Sequence, residues 1–311
     1  MTFSRMMQEH AAEVAGAQSE AAGAHGEAAS HGIGSIAEIP TFISHHLQDA
    51  REFEFAGLHF DLRPLAFDPI HLGPVTLDLS PTRQLFFIFL AALLCIAIFV
   101  PVAKALVHKD SARAPRGFAN AMEALVLYFR DNVVRSNIGH GADGYTPFVL
   151  TIFFFILFMN LLGLTPLGVT PTGNLSVTAG LALIAFVVVE VSGMLSLGPK
   201  GYAQTIFYMP PGLPTVMKPV MLFIMAPVEF LGKLTKPFAL AVRLFANMMA
   251  GHILILALVG LILVTQSYLV GVGSVLIMGA LMILELFVAF LQAYIFSMLT
   301  SVFIGLIRHA H

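Results

Sequence analysis

Charge is what this sequence has least of. Acidic and basic residues make up 11% of its 311 positions, where soluble domains carry about a quarter. With 58% hydrophobic residues and a mean hydropathy of +0.86, the chain reads as an integral membrane protein. Cysteine is nearly absent. The one thiol, Cys95, lies within an apolar run, so no intrachain disulfide can form and the redox compartment stays unread. There is no P-loop, no H-E-x-x-H and no C-x-x-C. Any nucleotide chemistry therefore belongs to a partner, and no catalytic residue, cofactor or metal site is expected in this chain. No basic tract points to nucleic acid. Met1 to Ala22 has no apolar core of the kind a secretory signal needs.

What the chain does contain is long apolar runs, several exceeding the roughly 20 helical residues that cross a bilayer. Residues 1–82 stand apart, with eleven acidic residues, three basic ones and seven of the twelve histidines. Residues 11–37, rich in Ala, Gly, Ser and Glu, read as a poorly ordered start or a loose amphipathic helix. His25, His31, His45 and His46 fit no metal-ligand spacing and read as a solvated tail. The membrane domain is expected over 83–311. Leu85 to Val107 is the first span, with Pro101 near its end. In "FANAMEALVLYFRDNVV", Phe118, Met122, Leu125 and Phe129 follow helical spacing, which predicts an amphipathic helix lying in the interface plane. Tyr145–Leu167 and Leu175–Leu197 form a tight hairpin about the turn "TPLGVTPTGNLS". "GPKGYAQTIFYMPPGLPTVMKP" reads as a polar connection.

From Val220 to Ile307 the chain is almost wholly apolar, with "TQSYLVGVG" as the one plausible break. It folds back once, giving two long antiparallel helices. Pro237 to Thr265 is 29 residues, roughly 43 Å of helix against a hydrocarbon core of roughly 30 Å. Both helices must tilt steeply or bend. The expected fold is all-α, with about five transmembrane helices and one interfacial helix. Six Lys/Arg follow the first span, within 104–144. The positive-inside rule puts that segment in the cytoplasm, the amino terminus outside and the carboxyl terminus inside.

Ionisable groups at membrane depth are rare and are functional candidates by default. Here they gather in the last third: Glu229, Lys233, Lys236, Arg243, His252 and Glu285, with Asn247 and Gln292 beside them, while Glu190 stands apart in the third span. Glu229, Lys236 and Arg243 are seven apart, so each step drifts about 20° and all three share a face if the helix runs through Pro237. His252 falls on another face, and Glu285 and Gln292 share one on the last helix. Histidine and partly buried carboxylates can relay protons near neutral pH, whereas arginine cannot deprotonate. An arginine between two relays is an electrostatic plug that repels a proton and attracts a carboxylate. Such a group suits a stator beside a moving carboxylate. Lys233 and Lys236 fit snorkelling to the cytoplasmic interface. Glu190 fits a structural hydrogen bond or a place beside a water path, and Gln292 fits interhelical bonding as well.

"KPFALAVRLFANMMAGH", then "ELFVAFLQAYIF", with "FFFILFMNLLGLTP" upstream, resemble subunit a of the F-type ATP synthase over residues 80–308. The resemblance implies a stator role in the proton-translocating membrane sector, with a rotor ring of c subunits, the peripheral-stalk b subunit and the remaining synthase subunits as partners. It implies that Arg243 faces the ring, with Asn247 and Gln292 as polar neighbours. Glu229 and Lys236 match the cytoplasmic access path, His252 and Glu285 the external half-channel, and Asn160 in "FMNLLG" a polar position on the hairpin. The His-then-Glu order follows mitochondrial members, whereas some bacterial members carry Glu then His. The His–Glu relay favours protons over sodium. A self-contained secondary transporter would show inverted repeats, and the amino half has no counterpart to the polar cluster. An intramembrane metalloenzyme would need convergent ligands, and only His252 lies deep. A bacterial plasma membrane is the expected location, with the mitochondrial inner membrane as the alternative.

Overall fold

The computed structural model describes residues 36–47, 52–55, 58–61, 70–72, 75–77, 82–107, 117–165, 170–206 and 218–309. Five helices among them are long and apolar enough to cross a membrane, as the sequence predicts. Residues 36–47 together with 253–280 form one compact unit, and the remaining described residues form another.

In the first unit, α1 (Ile39–Leu47) follows a short 3-10 turn. Its Ile39 side chain packs against Gly260, 3.2 Å from where a β-carbon there would lie. The reversal predicted within "TQSYLVGVG" takes only two residues, Gln266 and Ser267. Gln266 adopts a positive φ of 46° while its N–H still bonds Ile262, and Ser267 accepts the N–H of Gly271 to start the next helix. His25 and His31 lie outside the described residues, as do the side chains of His45 and His46.

The second unit opens with two small antiparallel hairpins that composition alone did not foretell. β1 (Glu52–Phe55) pairs with β2 (Leu58–Asp61), and β3 (Ile70–Leu72) with β4 (Val75–Leu77). The signal was the strict alternation of "EFEF", a strand period within a polar segment. α2 (Arg83–Val107) is the first span, with Pro101 in its last turns. It packs against α4 (Thr146–Gly163), and the Phe99 and Phe154 rings meet at 4.4 Å.

The predicted amphipathic helix is half right. α3 (Phe118–Tyr128) is followed by a π-helical stretch, Phe129–Arg135. The wider turn brings Phe129, Val133 and Val134 inward together and buries all three, where an unbroken α-period would have turned Val134 away from Phe129. Phe129 meets Phe153 at 4.3 Å and Tyr294 at 5.8 Å. On the outer side Arg135 forks onto Asp143 at 2.8 and 2.9 Å and reaches Asp131 at 3.0 Å. The Arg130 guanidinium bonded to Asp131 holds that carboxyl below its usual range, with Arg135 adding to it. The pairing is thus complete at neutral pH and is lost as pH falls through the lowered value.

α5 (Leu175–Ile206) begins at Asn174, whose side chain accepts the Ser176 N–H at 2.8 Å as an N-cap. It does not end near Leu197 as predicted. Gly198, at φ 71° and ψ 168°, kinks the chain before Pro199, and helix resumes to Ile206. Part of the predicted polar connection is therefore helical. The positive φ is available to glycine without a Cβ clash. α6 (Lys218–Thr265) runs 48 residues through Pro227 and Pro237, and α7 (Tyr268–Arg308) runs 41. At about 1.5 Å per residue α6 is about 72 Å long, more than twice the hydrocarbon thickness, so tilt or bending is obligatory.

At the end of α7, Gly305 passes the Asn137 carbonyl so closely that a β-carbon would overlap it. Backbone cannot swing aside as a side chain can. Gly305→Val is expected to cost about 1–3 kcal/mol through overpacking, read as a lower thermal stability of the detergent-solubilised assembly. An unchanged melting profile would contradict this packing.

Candidate functional site

The deep polar residues fall into three places. On α6 the buried stripe Leu240, Ala241, Leu244 and Met248 faces the bundle. The face beside it is exposed and carries Arg243 and Asn247 among Ala239, Ala246 and Ala250. Helical continuity through Pro237 puts Glu229, Lys236 and Arg243, all exposed, along one side. No carboxylate or hydrogen-bond acceptor engages Arg243 among the described residues. Asn247 donates to Gln292 Oε1 on α7 at 2.9 Å, while the buried Gln292 Nε2 has no partner among them. Small residues about an outward arginine leave room for another helix to approach closely.

The second place lies one to two turns along. His252 Nε2 is hydrogen-bonded to the Thr170 hydroxyl, not to Glu285. Thr170 in turn sits over Gly163, where a β-carbon would displace it. Glu285 is 6% exposed, and neither carboxylate oxygen has a partner among the described residues. Its room comes from Gly251, the residue before His252, where any β-carbon would run into the Glu285 carboxylate. Gly251 against Glu285, with Asn247 against Gln292, makes α6 and α7 antiparallel here, as predicted. Asn160 is fully buried; it donates to the Ala289 carbonyl at 3.2 Å and accepts from Thr172 at 2.7 Å. It ties α4, the 171–173 turn and α7 together, which is a scaffold position.

The third place is a cavity of about 250 Å³ whose wall includes Glu190, Thr205, Glu229, Lys233, Lys236 and Thr300. Beyond the kink at Gly198, the end of α5 puts Thr205 on this wall and Tyr202 against Glu190. The Tyr202 hydroxyl donates to Glu190 Oε2. Lys233 Nζ donates to the same oxygen at 3.3 Å and to Thr205 Oγ1 at 3.1 Å.

A chain with these helices and this placement of charge has close relatives. The ATP synthase A chain family model matches residues 85–305. ATP synthase subunit a of Anaeromyxobacter dehalogenans (strain 2CP-C) is 42% identical, over 93% of this chain and 76% of its own length. Subunit a of Chloroherpeton thalassium is 41% identical over 84% and 75%, and subunit a 2 of Prosthecochloris aestuarii is 40% identical over 94% and 86%. The chain belongs to the ATP synthase A chain family. It is a membrane component of a bacterial ATP synthase, in that family's stator position, with the rotor ring and the other synthase subunits as its partners.

Within this family member, one sequence expectation needs correction. Lys233 does not snorkel: it is buried and spent on Glu190. Its apolar flanks gave no sign of this, because the partner lies 43 positions away. Glu190, left open between a structural bond and a place beside a water path, makes the structural bond and also lines the cavity. Thr170, Gly251, Tyr202 and Thr205 escaped the sequence reading. Only Gly251 carried a signal, as a glycine inside an apolar helix where close approach is the usual reason.

Proposed function

We propose that this subunit carries protons to and from the rotor carboxylates through two separate wet paths, with Arg243 keeping them apart. The observation that carries this reading is the outward Arg243, without a partner among the described residues, on a face of small residues. An isolated arginine at mid-bilayer costs about 3 to more than 10 kcal/mol, and no described residue supplies its counter-charge, so this face suits a carboxylate on the rotor. His252 and Glu285 form the external path, and the cavity beside Glu229 forms the cytoplasmic one, with Lys236 on its wall. A proton enters past Glu285 and His252 and neutralises a ring carboxylate, which then moves into lipid as the ring turns. After nearly a full turn the site releases its proton near Glu229, and Arg243 receives the bare carboxylate. The membrane potential supplies about 2.3 kcal/mol per charge per 100 mV. Asn247 and Gln292 keep the contact polar, and Asn160 holds the hairpin beneath it. The coupling ion in this reading is the proton. The amino terminus faces outward and the carboxyl terminus the cytoplasm of a bacterial inner membrane.

The test exploits the single thiol. In a Cys95→Ser background, Ala246→Cys sits beside Arg243 on the exposed face. Oxidation is expected to join it to a cysteine placed next to the ring carboxylate. A thiol that reacts with membrane-soluble maleimide but never with the ring would defeat the proposal.

A further inference from the structure

Glu229 and Lys233 stand four residues apart on α6, glutamate first, which is the favourable order for an i, i+4 ion pair. A relay carboxylate bound to a neighbouring ammonium passes protons poorly, because each arriving proton must first displace the cation. Both residues line the same cavity, and the burial of Lys233 strengthens the attraction relative to water. Nothing in their spacing prevents the pair.

The observed pairing is a different one. Lys233 Nζ is bonded to Glu190 Oε2 and Thr205 Oγ1 and stands 4.4 Å from the centre of the Tyr202 ring. Lys236, the other ammonium on that wall, lies over the Phe303 ring at 5.3 Å. Neither cation turns to Glu229, and no ion pair or hydrogen bond engages Glu229 among the described residues. Glu190 is itself held in place by the Tyr202 hydroxyl. The kink at Gly198 delivers both Tyr202 and Thr205, so the end of α5 fixes the direction in which Lys233 points.

We propose that Glu190 and Lys233 are positioning residues of the proton path. Glu190 sequesters the Lys233 ammonium, so that Glu229, one helical turn away, stays open to take and release protons. The inference rests on Glu229 acting as the exit carboxylate. It gives the Glu190–Lys233 pair a purpose beyond packing, because its effect is exerted through a third residue.

The experiment measures ATP-driven proton pumping by the whole complex in vesicles, normalised to the amount of assembled subunit. Glu190→Gln, which frees Lys233 to turn to Glu229, is expected to slow pumping about five-fold, equivalent to about 1 kcal/mol. Adding Lys233→Met removes the released cation and is expected to bring the rate back within about two-fold of the unmodified complex. A structural role alone predicts the opposite, since the double variant loses both halves of a buried pair. An unslowed Glu190→Gln, or a double variant as slow as the single one, overturns the inference. Glu229→Gln separates the two readings. If it pumps normally, the exit assignment fails and takes the inference with it; if it is slow while the double variant is not rescued, the inference alone fails. Should Glu190→Gln not assemble, Thr205→Val loosens Lys233 more gently and is expected to slow pumping about two-fold, again reversed by Lys233→Met. No slowing there overturns the inference as well.

Discussion

Arg243→Ala is expected to abolish ATP-driven proton pumping and to leave a passive proton leak once the catalytic head is stripped from the membranes. Both halves follow from where the side chain stands. Arg243 is exposed on α6 and has no acceptor among the described residues of its own chain. Among the described residues nothing competes for that positive charge, which leaves it available to a passing carboxylate. Without it a deprotonated ring site has no partner at the stator and stalls, since bare charge in hydrocarbon costs several kcal/mol. In the proposed mechanism the barrier between the two wet paths is lost in the same step, because no fixed cation repels a proton crossing from one to the other. Arg243→Lys keeps the charge but loses the planar fork that meets a carboxylate bidentately. It is expected to block the leak while recovering little pumping. Coupled pumping at the normal rate in Arg243→Ala would end the stator reading.

The second large effect is on the external path. His252→Ala and Glu285→Ala are each expected to slow proton uptake by the ring about a hundred-fold, within the range a positioned acid–base group contributes. Neither should open a leak, since Arg243 remains in place. Gly251→Val makes the same point without touching a titratable group. The added side chain occupies the space of the Glu285 carboxylate and should slow uptake to a similar degree. The measurement is proton flux driven by an imposed pH gradient, with and without the catalytic head. A leak as large as that of the arginine variant, or normal flux in Gly251→Val, would remove these residues from the path.

The relation between His252 and Glu285 shows how far sequence carried the site. Their place on facing helices was legible, because α6 and α7 are long apolar runs with one break, and an antiparallel return fixes which residues pass each other. The partner of His252 was not. Thr170 lies 82 positions away, in a turn whose path depends on how α4 and α5 pack. Similarly, helical spacing put Glu229, Lys236 and Arg243 on one side correctly, since period and continuity are local properties. The π-helical stretch at Phe129–Arg135 escaped the same argument, because a wider turn is paid for by tertiary burial of Phe129, Val133 and Val134 rather than by local preference.

By itself the sequence determined the solvent of this protein, the number of its spans, the point where the last two helices reverse and the identity of the charges they carry. Those follow from runs of apolar residues and from periodicity, which act over a few neighbouring positions. Tertiary structure decided which charges are spent and which remain available. Lys233 is neutralised by Glu190 across the cavity, while Arg243 and Glu229 have no partner among the described residues. That division depends on helix rotation and on one kink at Gly198, and ion pairing falls off over a few ångströms, so no local rule could have assigned it.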